Sequence, residues 1–133
     1  MQILSLAILI IAGLWLIGVG GLMGVRPGAA LALMDRMTAS LEASNWRLQI
    51  SEQGLRILAG AALIVRAPLS KLPTLLEAAG WLLVATSLLI LLAPLRWHAA
   101  YGRLLLATFT PRSLQLLSPV PVLIGIGLIG AAL

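Results

Sequence analysis

The sequence predicts an all-α integral membrane protein of four transmembrane helices, arranged as two tandem units of helix, amphipathic linker and helix related by a parallel pseudo-repeat. Three observations predict it. Only 10% of the 133 residues are charged and 61% are hydrophobic, whereas a soluble domain carries about 25% charge. Apolar residues fall into long uncharged runs, and a backbone surrounded by hydrocarbon must satisfy its own hydrogen bonds by being helical. Prolines, arginines and a serine recur at a constant shift of 67 residues.

Ile3 to Val25 is uncharged over 23 residues, enough to cross ~30 Å of hydrocarbon. It lacks the basic flank and small-residue cleavage site of a signal peptide and is expected to remain as a span. Arg26 and Pro27 close it. From Gly28 to Asn45, Leu31, Met34, Met37 and Leu41 share one helical face, with Asp35, Arg36, Thr38, Ser40 and Glu42 largely opposite. That spacing predicts an amphipathic linker helix, lying on the membrane surface or packed on its own bundle.

Ser51 is the expected N-cap of a second membrane helix over 52–66, with Glu52 in its first turn. Arg56 and Arg66 bracket nine uncharged residues. At ~1.5 Å per residue such a core spans only with snorkelling arginines, or dips in and returns. Arg66 to Pro73 reads as a polar turn, after which Thr74 and Glu77 fit a capping box opening the third helix. Gly80 to Leu95 is uncharged, and Pro94, Arg96 and Trp97 mark its exit into the headgroup layer. Arg96 to Thr110 repeats the linker theme. Pro111 behind Thr110 and Pro119 behind Ser118 mark helix starts, the last over 119–133.

A shift of 67 sets Gly13 on Gly80, Pro27 on Pro94, Arg36 on Arg103, Ser51 on Ser118, Ile57 on Ile124 and Gly60 on Gly127. Residues 1–66 and 67–133 thus form two membrane units of one compact domain, entering the bilayer with the same orientation. Arginines 26, 36, 47, 56, 96, 103 and 112 flank the two linkers, against Arg66 and Lys71 in the central turn. This bias predicts cytoplasmic linkers and periplasmic or extracellular termini in a multi-pass protein of the plasma membrane.

The same residues bear on function. The chain has no cysteine, so disulfides and thiolate chemistry are excluded. Its positive charges are scattered singly, which argues against nucleic-acid binding. His98, the only histidine, lies beyond the third span beside Arg96, Trp97 and Tyr101; an interfacial cluster explains it more simply than a haem or pigment ligand, and no cofactor, metal site or catalytic constellation is expected. The polar groups of possible functional interest are Arg56, as an anion ligand, Glu77, as a proton-coupling carboxylate, and His98. Gly20, Gly24, Gly125 and Gly127 are candidates for close helix packing, and Trp46, Trp81 and Trp97 for interfacial anchors.

The run Pro94, Leu95, Arg96 and Trp97, followed by a basic linker and a second glycine-rich helix, resembles small bacterial inner-membrane proteins. The resemblance covers mainly the C-terminal half and implies no activity. The four-helix membrane enzymes that conjugate glutathione or make eicosanoids are not matched, since Glu42, Asn45 and Arg47 stand in the wrong order and spacing. The expectation is a non-catalytic accessory or scaffold subunit that packs against lipid, another membrane protein or a second copy of itself. The alternative is a small transporter or channel lined by Arg56, Glu77, Thr86 and Ser87.

Overall fold

A computed structural model describes all residues, 1–133, and they are helical almost throughout, with no strand. The helices are α1 (Gln2–Val25), α2 (Pro27–Glu42), α3 (Trp46–Arg66, continued by a 3-10 turn Ala67–Leu69), α4 (Pro73–Leu92), α5 (Leu95–Thr108), α6 (Pro111–Leu117) and α7 (Pro119–Ala132). Four helical stretches are long and apolar enough to span a membrane: Gln2–Val25, Trp46–Leu69, Pro73–Leu92 and Pro111–Ala132.

The second stretch corrects the expected boundary. α3 begins at Trp46, where the Asn45 side chain accepts from the Leu48 amide. Ser51 is no cap; its hydroxyl donates to the Arg47 carbonyl inside the helix. With the 3-10 turn the stretch reaches 24 residues, about 36 Å at the α-helical rise, while the uncharged core between Arg56 and Arg66 keeps its nine residues. The turn between α2 and α3 is tight: Ser44 takes a left-handed φ of 61°, unusual without glycine. Asn45 supports it by donating from Nδ2 to Ser40 Oγ at 2.9 Å.

α4 likewise starts without the expected capping box. Pro73 occupies the first helical position behind Leu72, and no side chain caps the end. Proline's fixed φ begins the helix, and its missing N–H is one donor fewer to satisfy. The box forms instead at α6, where Thr110 Oγ1 accepts from the Ser113 amide and Ser113 Oγ accepts from the Thr110 amide. Pro119 does begin α7, but Ser118 sends its hydroxyl back to the Gln115 carbonyl rather than capping.

α1 packs on α7 and α3 on α4, each as an antiparallel pair, while α2 packs on α5. Such pairs meet in close van der Waals contact, which small residues permit. A Cβ on Gly13 would lie 2.9 Å from the Gly125 carbonyl oxygen, and one on Gly125 would lie 2.5 Å from the Gly13 oxygen. Gly60 and Gly80 repeat this between α3 and α4, at 2.9 and 2.7 Å from each other's carbonyls. Gly20 meets Ser118 and Val122, and Gly24 meets the Ser118 side chain. Gly127, expected among the packing glycines, faces open space; Gly125, two residues earlier, makes the contact.

Between the two pairs lies an apolar core of Leu9, Ala62, Leu63, Ala67, Leu76, Ala131 and Ala132. It closes the end of the bundle that holds the central turn. There Arg66 Nε donates to the Ala132 carbonyl at 3.0 Å and the Lys71 amide to the Ala131 carbonyl at 3.3 Å. Both satisfy orphan carbonyls at the end of α7, where positive charge is also favoured. α2 and α5 lie together at the opposite end.

Candidate functional site, a cleft between the linker helices and the second pair

α2 and α5 are locked together by a steric contact and an ionic one. A Cβ on Gly102 would come 2.6 Å from Thr38 Oγ1, so only glycine lets the two helices approach this closely, and Thr38 is buried there. Arg103 supplies the ionic contact. Its Nε and Nη2 each donate to a Glu42 carboxylate oxygen at 2.7 Å, and its Nη1 bridges to Asp35. These hydrogen bonds, more than charge alone, hold the Glu42 carboxyl below its ordinary pKa and push the Arg103 guanidinium above its own.

Below this contact opens a cleft of about 620 Å³, within the range of small-molecule sites, roughly 300–1,000 Å³. Four helices build it. α2 contributes the face Met34, Met37, Thr38 and Leu41, whose i, i+3, i+4, i+7 spacing is that of a single helical stripe. α5 contributes Trp97, His98, Tyr101, Gly102 and Leu105; α3 contributes Glu52 and Arg56; the end of α4 contributes Ile90, with Ala93 just beyond it. The lining is therefore apolar on the α2 side, aromatic on α5 and charged on α3.

Arg56, in the middle of α3, is exposed into this cleft. Helical side chains lean toward the N-terminus, so it reaches toward the α2/α5 end as a snorkelling arginine does. Beside the cleft, Gln49 Nε2 donates to the Ile90 carbonyl at 3.0 Å, tying α3 to α4. One turn on, Gln53 is wholly buried with neither amide atom hydrogen-bonded, and Ser87, also wholly buried, leaves its hydroxyl without a partner. The antiparallel register that faces Gly60 with Gly80 carries Gln53 to the level of Ser87. His98 is half-buried, with Nδ1 enclosed and without a hydrogen-bond partner.

The cleft thus brings Arg56, His98 and Trp97 together and leaves out the other expected polar group. Glu77 sits exposed near the start of α4, 13 residues before Ile90 and so about 20 Å along the axis. Thr86 bonds to the Leu82 carbonyl of its own helix. Trp46, at the start of α3, carries the Arg47 guanidinium 5.9 Å from its ring centroid, whereas Trp81 lies near the middle of α4, exposed beside the Gly60–Gly80 crossing.

Glu52, Tyr101 and the buried glutamines were not among the polar groups expected to have a functional role. Gln49, Glu52, Gln53 and Arg56 follow i, i+3, i+4, i+7, and that polar stripe within an otherwise apolar helix was the available signal. No three His, Cys, Asp or Glu side chains converge on one point. Comparison with protein families, curated proteins and solved structures finds no match.

Proposed function

We propose that this chain is a non-catalytic accessory or scaffold subunit of a bacterial inner membrane, with four spans, cytoplasmic linker helices and periplasmic termini, working by contact with lipid and with other membrane helices. The observation that carries the reading is how little of each span its own fold covers. Only 22, 28, 17 and 17% of the residues in the four apolar windows are buried, so each span offers exposed apolar side chains to surroundings of like chemistry. The closing core around Leu9 and the backbone-close glycine crossings favour this role over a conduit, since they fill the space that a solute path would need.

A tandem origin is supported by matched contacts. A shift of 67 carries Gly13 and Ile17 onto Gly80 and Val84, and a shift of 65 carries Gly60 and Ile64 onto Gly125 and Ile129; within each unit's counterpart these residues meet the same partners. The units 1–66 and 67–133 then differ by a two-residue deletion, which an ungapped comparison conceals.

Gentle solubilisation from the native membrane should bring the chain through size-exclusion chromatography together with a larger partner or as an oligomer. A monodisperse monomer would refute the scaffold role. Orientation is tested separately, and the natural absence of cysteine helps. Ala39→Cys in α2 should react with an impermeant maleimide only after the cytoplasmic face is opened, and Thr74→Cys should react in intact spheroplasts; the reverse pattern would invert the topology.

A further inference from the structure

Each of the four membrane-length stretches carries an arginine at the end nearest the linker helices. Arg26 directly follows α1, Arg47 is the second residue of α3, Arg96 stands four residues beyond α4, and Arg112 is the second residue of the Pro111–Ala132 stretch. All four are exposed and none is ion-paired, since the ion pairs of this chain are those of Arg103. Two adjoin exposed tryptophans: the Arg47 guanidinium lies over the Trp46 ring, and Arg96 precedes Trp97. A guanidinium at the end of a span, beside an interfacial indole, stands at the depth of lipid headgroups.

The acids decide which headgroup fits. Asp35 and Glu42, the acids of the linker helices, are both taken up by Arg103, and Glu52 and Arg56 offset each other in the cleft. Arg36 is exposed and unpaired as well. Six arginines (26, 36, 47, 96, 103 and 112) against two acids therefore leave the linker end with a surplus of four positive charges. The opposite end sets Arg66 and Lys71 against Glu77, and Arg66 is turned onto the Ala132 carbonyl. The ammonium of a zwitterionic headgroup finds no free carboxylate among the linker residues, whereas an anionic headgroup offsets their surplus. We propose that Arg26, Arg47, Arg96 and Arg112 form a surface that selects anionic phospholipids from the leaflet at the linker end. Guanidinium meets a phosphate with two parallel donors, and basic residues flanking a span are drawn to anionic lipid. This selectivity rests on the bilayer placement proposed above and not on the scaffold role, because lipid retention and co-migration with a partner are independent measurements.

The test is native mass spectrometry of the full chain in an uncharged mild detergent, titrated with a phosphatidylglycerol and a phosphatidylethanolamine of identical acyl chains. Wild type should retain the glycerol lipid about tenfold better, a difference of about 1.4 kcal/mol. Arg26→Gln, Arg47→Gln, Arg96→Gln and Arg112→Gln together should bring that ratio close to one. The same four positions changed to lysine keep their charge and should keep most of the preference; circular dichroism checks that both variants retain their helicity. Lys71→Gln, at the other end of the bundle, should leave the ratio as in wild type. Equal retention of the two lipids by wild type, an unchanged ratio in the four-glutamine variant, or a lost preference in Lys71→Gln would overturn the proposal while leaving the bilayer placement intact. A chain that stays in solution without detergent would overturn both, so the two failures are distinguishable.

Discussion

Gly80→Leu should separate α3 from α4 and destabilise the bundle by about 3 kcal/mol, the upper part of the usual overpacking range. The reason lies in what a side chain would meet. A Cβ at this position would be 2.7 Å from the Gly60 carbonyl oxygen and 3.0 Å from Leu63 Cβ. The first is backbone inside a helix and cannot rotate away, so relief requires moving the helix. Gly125→Leu should do the same to the α1–α7 pair, where the nearest obstacle is the Gly13 carbonyl at 2.5 Å. Gly127→Leu is the control. Its side chain would enter open space, and removing a helix-interior glycine contributes up to about 1 kcal/mol of helix propensity, so stability should hold or rise slightly. Reversible unfolding in mixed micelles, followed by circular dichroism, measures all three. Equal behaviour of Gly125→Leu and Gly127→Leu would show that the helices do not cross where they are placed here.

Reversing the charge at Arg103 should detach α5 from α2. Arg103→Glu replaces the shared partner of Asp35 and Glu42 with a third carboxylate, turning three hydrogen bonds into mutual repulsion. Isolated exposed ion pairs contribute little, but here a two-pronged guanidinium contact joins two separate helices, and its loss removes their one direct ionic tie. The distance between spin labels on α2 and α5 should lengthen and broaden. Acid should act on wild type in the same direction. Because Glu42 is held below its ordinary pKa by Arg103, the contact is at full strength above the ordinary carboxylate range and is lost as pH falls through the lowered value. Arg103 stays charged throughout. The label distance should therefore be constant around neutral pH and lengthen only below about 4, the ordinary carboxylate value, and sooner in high salt, which screens exposed charges. A distance insensitive to both acid and the substitution would show that the Gly102–Thr38 contact alone joins the helices.

Part of the candidate site was legible before any fold was known. The α2 stripe of Met34, Met37 and Leu41 follows from spacing, and it lines the cleft. The start of α3 was not legible, because Arg47, Glu52, Gln53 and Arg56 read linearly as the polar approach to a short helix. Placed on a helix, Gln49 and Gln53 turn inward to α4 and Glu52 and Arg56 toward the cleft, so the polar residues belong to the same helix as the apolar run. The capping box at Thr74 failed for a related reason. Thr74 and Glu77 have the right spacing, but Pro73 starts the helix one residue earlier and leaves Thr74 inside it.

The residue pattern alone determined that four stretches are apolar and long enough to cross a membrane, because so few charges interrupt them. Periodicity and punctuation determined where most helices start and stop, since those are local properties of a few adjacent residues. Which glycine faces which was decided only by the tertiary structure. Gly125 and Gly127 differ by some 200° around an α-helix of 3.6 residues per turn, and only the rotation adopted against α1 chooses between them. The cleft is of the same kind: its charges, aromatics and methionines come from four helices, and no stretch of sequence contains enough of it to be recognised alone.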